Sequence, residues 1–177
     1  TGIYVFYAAQ PYLLELYGDP TAYSIAGLAA AIFAGVQIAA GLMVARVRRL
    51  FRRRTDALLG GGMLGIVLLA VLGLSPGFVV ALVLMAVWSF VVAVTRPMRS
   101  AYLNGVIPSE QRATVLSFDS LMGSAGGVVA QPFLGRVADV SGYAASYLVS
   151  AAIQALALPF VLLARREKAA SDPMDAD

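Results

Sequence analysis

Residues 22–45 read AYSIAGLAAAIFAGVQIAAGLMVA, with no charged residue anywhere in the stretch. An α-helix rises about 1.5 Å per residue, so about 20 apolar residues cross the roughly 30 Å hydrocarbon core of a bilayer. The stretch predicts a membrane-crossing helix. Working outward, apolar stretches recur at 2–17, 57–74, 77–95, 113–135 and 143–164, and the last is also free of charge. Six such stretches in 177 residues leave almost nothing for a water-soluble domain. Apolar residues make up 60% of the chain and charged residues 13%, against about 45–50% and about 25% in soluble domains. Barrel strands alternate polar and apolar residues over about ten positions, and these stretches do not. The expected fold is therefore an all-α transmembrane bundle of six helices.

The composition also removes whole classes of chemistry. The chain has no Cys and no His. Disulfides, Cys/His zinc sites, a Cys nucleophile and a His base are excluded. Neither an HExxH metal motif nor a Gly-x-Ser-x-Gly nucleophile motif occurs. The expectation is a protein that is not an enzyme and holds no metal or cofactor. Any proton carrier would be a carboxylate. The first stretch is not expected to be a secretory signal, since it lacks a basic lead-in and an A-x-A cleavage site.

The net charge of +3 resolves into a pattern. Arg46, Arg48, Arg49, Arg52, Arg53 and Arg54 lie between the second and third stretches. Arg96, Arg99 and Arg112 lie between the fourth and fifth, and Arg165, Arg166 and Lys168 follow the sixth. The connections near Gly18, Ser75–Pro76 and Asp139–Gly142 hold no Lys or Arg, so Arg136 alone falls on the other side. The positive-inside rule makes the basic side the cytoplasm. Both ends of the chain are then cytoplasmic, in a multi-pass protein of the inner (plasma) membrane. Lipid headgroups are the second partner for the Arg run, and nucleic acid is not an expected one.

The stretches divide into triplets, 1–74 and 75–164, within a transmembrane unit of residues 1–168. An odd number of crossings per triplet inverts the second relative to the first, as in inverted-repeat transporters. Residues 169–177 are small, polar and acidic, and are expected to be a disordered cytoplasmic tail. The chain opens with Thr already inside its first apolar stretch, which suggests that an N-terminal part is missing. Rows of small residues predict close helix packing: Gly27, Ala31, Gly35 and Ala39 in one helix, Gly61 and Gly65 in the next. Asp119, Gly123, Gly127, Gln131, Gly135 and Asp139 make one polar, small-residue stripe that cannot face lipid.

One connection is more specific. Arg96-Pro-Met-Arg-Ser-Ala-Tyr-Leu-Asn104-Gly-Val-Ile-Pro108-Ser-Glu-Gln-Arg112-Ala-Thr-Val-Leu-Ser117 resembles the link between helices ten and eleven of major facilitator superfamily transporters. Gln131-Pro132-Phe-Leu-Gly135-Arg136-Val-Ala-Asp139 followed by Gly142-Tyr143 is similar to the end of their eleventh helix. The resemblance implies that the chain is the C-terminal half, helices seven to twelve, of a twelve-helix transporter. It implies alternating access by rocking of two six-helix halves, with helices seven and ten lining the cavity. Gly41-Leu-Met-Val-Ala45-Arg46-Val-Arg48-Arg49 stands where that family carries a copy of its Gly-x-x-x-Asp-Arg motif, with Ala45 in place of the acidic residue.

Polar groups inside the stretches are costly in hydrocarbon, so each is a candidate for function. Tyr4, Tyr7 and Gln10 in the first helix are expected to line a solute cavity, as are Gln37, Trp88, Ser89 and Gln131. Tyr12 and Tyr17 read as interfacial belt. Glu15 and Asp119 are the candidate carboxylates for coupling or for a charge clasp. Arg96 and Arg112, at the cytoplasmic end, are further clasp candidates, and Arg136 and Asp139 are spaced to pair locally. The expected function is secondary transport of a small solute by alternating access. Its fuller form is proton-coupled efflux of an amphipathic compound, driven by a proton gradient, with lipid and the missing six-helix half as partners. The alternative is a self-contained six-helix channel or membrane scaffold.

Overall fold

The computed structural model describes residues 2–75 and 77–174. Thr1, Pro76 and residues 175–177 lie outside them. Among the described residues the chain is mostly helix and forms no strand. α1 is Gly2–Tyr17, α2 Tyr23–Arg48, α3 Arg54–Gly73, α4 Phe78–Val106, α5 Arg112–Ala155 and α6 Leu158–Arg166, with a short 3-10 turn at Ser109–Gln111 before α5. Four helical segments are long and apolar enough to cross a membrane: α2, α3, α4 and the segment Ser109–Arg166.

That last segment is not one rod. Gly142, inside α5, has φ 85° and ψ 162°, a region open essentially to glycine alone. The chain folds back there. Ser146 Oγ donates to the Leu134 carbonyl at 3.1 Å, whereas residues twelve apart on a straight helix lie about 18 Å apart. The apolar stretch 143–164 is then broken again. Pro159 sits at the start of α6 and has no N–H to continue the ladder, so the helix turns at residues 156–157 and restarts.

The core is stitched by tyrosines. Tyr12 is buried and donates from its hydroxyl to the Leu72 carbonyl on α3 at 3.2 Å. Its ring lies 5.2 Å from that of Tyr147 on the second limb of α5. The Tyr147 hydroxyl points back to the Val5 carbonyl at 3.5 Å, and Ser146 bonds the Tyr4 hydroxyl. Tyr12 therefore corrects the belt expectation: it is a core residue with a satisfied hydroxyl. Tyr17 is half exposed and packs edge-on against Phe78.

The small-residue rows divide. A Cβ on Gly61 would clash with Thr95 Cγ2, and one on Gly65 would fall 2.8 Å from Gln154 Nε2. The glycines of α3 thus admit α4 and α5 at close range. A Cβ on Gly27 or Gly35 would meet nothing within 4 Å, so that row packs no helix of this chain. Arg136 and Asp139 also depart from expectation, with no ion pair between them among the described residues.

The tail corrects the expectation of disorder over its described part. Asp172 is 1% exposed. Its carboxylate accepts from the Thr55 backbone N–H and from Thr55 Oγ1, both at 2.9 Å. It thereby caps the N-terminus of α3, whose own N-cap residue, Arg53, makes no side-chain cap. The Arg54 guanidinium donates to the Ser171 carbonyl. Gly105 leaves room for Ser171, where any Cβ would clash. A polar composition suggests disorder only until its groups find partners, and here an uncapped helix end supplies them.

In the α1–α2 loop, the Asp19 carboxylate accepts from Thr21 N–H and Oγ1 at 2.8 and 2.7 Å. Those bonds hold its pKa below the usual aspartate value.

Three substitutions test this architecture by thermal unfolding in detergent. Gly142→Ala should cost about 1–3 kcal/mol through backbone strain, while Gly27→Ala, with open space around it, should be neutral or slightly stabilising. Asp172→Ala should cost about 1–3 kcal/mol, because it leaves the Thr55 donors without their partner.

Candidate functional site

α1, α2, α4 and α5 surround a cavity of about 460 Å³. Five residues named from sequence meet there: Tyr4, Gln37, Ser89, Arg96 and Gln131. The helices explain the meeting. Ser89, Val92, Ala93 and Arg96 of α4 follow helical spacing and form one wall. Met122, Gly123, Gly126, Gly127, Ala130 and Gln131 bring the small-residue stripe of α5 to the opposite wall. The first turn of α1 contributes Tyr4 and Phe6, and α2 contributes Gln37.

The lining is mostly apolar, with a few neutral hydrogen-bonding groups and Arg96. Ser89 is 1% exposed, and its Oγ has no hydrogen-bond partner. A buried hydroxyl left unpaired costs roughly 1–3 kcal/mol. Ser89 is therefore a donor and acceptor held ready at the cavity wall. Arg96 is the one charged residue of the lining. Sequence reading placed it at the cytoplasmic end as a clasp. Its position seven residues after Ser89, two turns along the same face, was the signal that it shares the cavity. Phe6 was missed altogether, since a Phe in an apolar helix carries no mark of its own.

Trp88 does not line the cavity. It is buried in the core with its indole N–H unpaired, and packs edge-on against Phe6, ring centroids 5.2 Å apart. One residue along a helix turns the side chain by about 100°, which separates Trp88 from Ser89. Tyr7 and Gln10 share an outward face of α1, and Tyr7 is 74% exposed. Glu15 is exposed, in a shallow depression with Pro11, Leu14, Gly18 and Pro20. It stands eleven residues beyond Tyr4 on α1, about 16 Å along the helix, and away from the cavity.

Asp119 makes a two-pronged pair with Arg99, at 2.6 and 3.0 Å. The pair ties α4 to α5 about one turn beyond Arg96 and Gly123, at the edge of the cavity. Both side chains are substantially exposed, 54% and 36%. Among the described residues Arg112 pairs with no carboxylate; it donates to the Ile107 carbonyl at 3.5 Å and trims the turn before α5. No group of three or more metal-ligating side chains exists among the described residues.

The family model of the Major Facilitator Superfamily matches residues 1–176. No curated protein and no solved structure matches the chain.

The Arg99–Asp119 pair should contribute little to stability, because both partners see solvent. A double-mutant cycle with Arg99→Ala and Asp119→Ala, read by thermal unfolding, should give a coupling of about 0.2–1 kcal/mol that shrinks as salt is added.

Proposed function

The chain belongs to the Major Facilitator Superfamily, and from that premise we propose that its 460 Å³ cavity binds the transported solute during alternating access. Membership makes the protein a membrane transporter. The observation that carries the finer reading is the buried, unpartnered Ser89 hydroxyl facing Gln37, Gln131 and Arg96 around one hollow. Ligand cavities are mostly apolar with a few placed polar groups, and this one has that composition.

The backbone reversal at Gly142 supports six crossings rather than four. α5 then supplies crossing five, while its second limb and α6 together supply crossing six. That count would make two inverted triplets, and the Arg-rich connections favour both ends of the segment on the cytoplasmic side of the plasma membrane. Tyr7, Gln10, Gln37 and Gly123 are exposed, and a Cβ on Gly123 or Gly126 would meet nothing within 4 Å. Small polar surface of that kind is poorly matched to lipid. A second six-helix unit is the partner that suits it, so this chain supplies half of the solute site.

Arg96 adjusts the expected solute. It favours a compound that presents a hydrogen-bond acceptor or an anionic group to α4, with the apolar body against Phe6 and Met122. The Arg99–Asp119 pair is a latch between α4 and α5 at the cavity edge, and breaking it opens that end. If protons couple the cycle, Asp119 in the latch is better placed than Glu15.

This segment holds no Cys, so a Cys introduced into it, with any Cys elsewhere in the protein replaced, gives a direct test. Ser89→Cys, in full-length protein in oriented vesicles, should react with a membrane-impermeant maleimide from the cytoplasmic side. Arg99→Ala should alter that rate. Simultaneous reaction from both sides would indicate a continuous pore and favour a channel, and no reaction from either side would remove Ser89 from the solute path.

A further inference from the structure

On the opposite side of α4 from the solute cavity lies a second hollow of about 290 Å³. Val47 and Phe51 form its lower end, Gly60 and Leu64 its α3 wall, and Phe90 and Met98 its α4 wall. One polar side chain, Thr95, touches it, and the Thr95 hydroxyl donates back to the Val91 carbonyl of its own helix at 2.8 Å. The hollow therefore offers methyl and ring surface and no hydrogen bond. Gly60 keeps it open: a Cβ there would meet only the Phe51 ring, at 3.6 Å.

The lower end meets the most basic segment of the chain. Arg46 and Arg48 flank Val47, and Arg49, Arg52 and Arg53 surround Phe51. Among the described residues none of these five is in an ion pair, and Arg46, Arg49 and Arg52 are exposed. Membrane topology alone accounts for positive charge on this side. It does not account for a dry slot opening at the same place.

The shape narrows the occupant. The slot follows α3 from Ala57 to Leu64, about 10 Å at helical rise. A helix of that length and about 10 Å in diameter would need well over twice the volume found. An acyl chain is thin enough, and the arginines that neighbour Val47 and Phe51 in the chain match a phosphate. We propose that this slot seats one acyl chain of an anionic phospholipid, with the lipid phosphate on Arg46 and Arg49. The inference rests on the membrane-embedded reading of the chain but not on transport or on the solute cavity.

The test is retention of lipid by the full-length protein in detergent, read by native mass spectrometry. Phosphatidylglycerol and phosphatidylcholine of identical acyl chains are offered together. Phosphatidylglycerol should be retained over phosphatidylcholine by about five-fold or more, given the attraction per Arg at an anionic surface. Arg46→Gln with Arg49→Gln should bring the two lipids level, while Gly60→Leu, which fills the slot, should lower retention of both. Equal retention by the unaltered protein would overturn the proposal, as would a preference that survives Arg46→Gln with Arg49→Gln. Full competition by dihexanoyl phosphatidylglycerol would also overturn it, since the arginines would then bind a headgroup without the slot. Each variant is scored only if its melting temperature matches that of the unaltered chain, and Arg46→Lys with Arg49→Lys should preserve the preference.

Discussion

A peptide group in hydrocarbon has no water to bond, and nearly everything in this structure follows from that. Each unsatisfied N–H or carbonyl costs several kcal/mol, so the apolar stretches have to be helices. Once they are, lipid offers no hydrophobic contrast to hold them together. The helices are joined instead by what lipid cannot supply. Tyr12 reaches the Leu72 carbonyl, Tyr147 points to Val5, and Ser146 ties Tyr4 to Leu134. α1, α3 and the second limb of α5 are thereby fixed around one aromatic cluster, and α3 approaches its neighbours through Gly61 and Gly65.

The same constraint divides the molecule into finished and unfinished faces. Around α3 the glycines are in use, with Gly61, Gly65 and Gly73 set against α4 and α5. Along α2 and the first limb of α5 they are not: Gly27, Gly35, Gly123 and Gly126 have no neighbour, and the Ser89 hydroxyl has no partner. The unfinished side carries the cavity with Arg96, Gln37 and Gln131. The finished side carries the dry slot beneath the Arg run. α4 is the wall between them, polar on one face and methyl-lined on the other, so the proposed solute and the proposed lipid chain would address one helix without meeting.

Much of the helical pattern was legible because its cause is local. A charge-free run of the length of residues 22–45 has no soluble explanation, and a periodic face such as Ser89–Arg96 can be read along one helix. Tyr12 was misjudged because interfacial and core tyrosines look alike in a linear chain; the Leu72 carbonyl that decides the matter is sixty residues away. Asp172 was misjudged for the same reason, its partner Thr55 lying 117 residues distant. Trp88 shows the limit of naming polar residues by depth alone. Its neighbour Ser89 reaches the cavity, and a single residue step turns the indole into the core.

The sequence by itself determined the solvent, the helical class and the side on which positive charge collects. These follow from hydropathy, length and charge, which need no partner to act. Only the tertiary structure decided that the chain reverses at Gly142, that Arg96 joins Tyr4, Gln37, Ser89 and Gln131 around one hollow, and that Asp119 binds Arg99 rather than facing it. Those outcomes depend on which helix faces which. In a membrane that choice rests on hydrogen bonds and glycine contacts between residues far apart in the chain, and no local pattern records them.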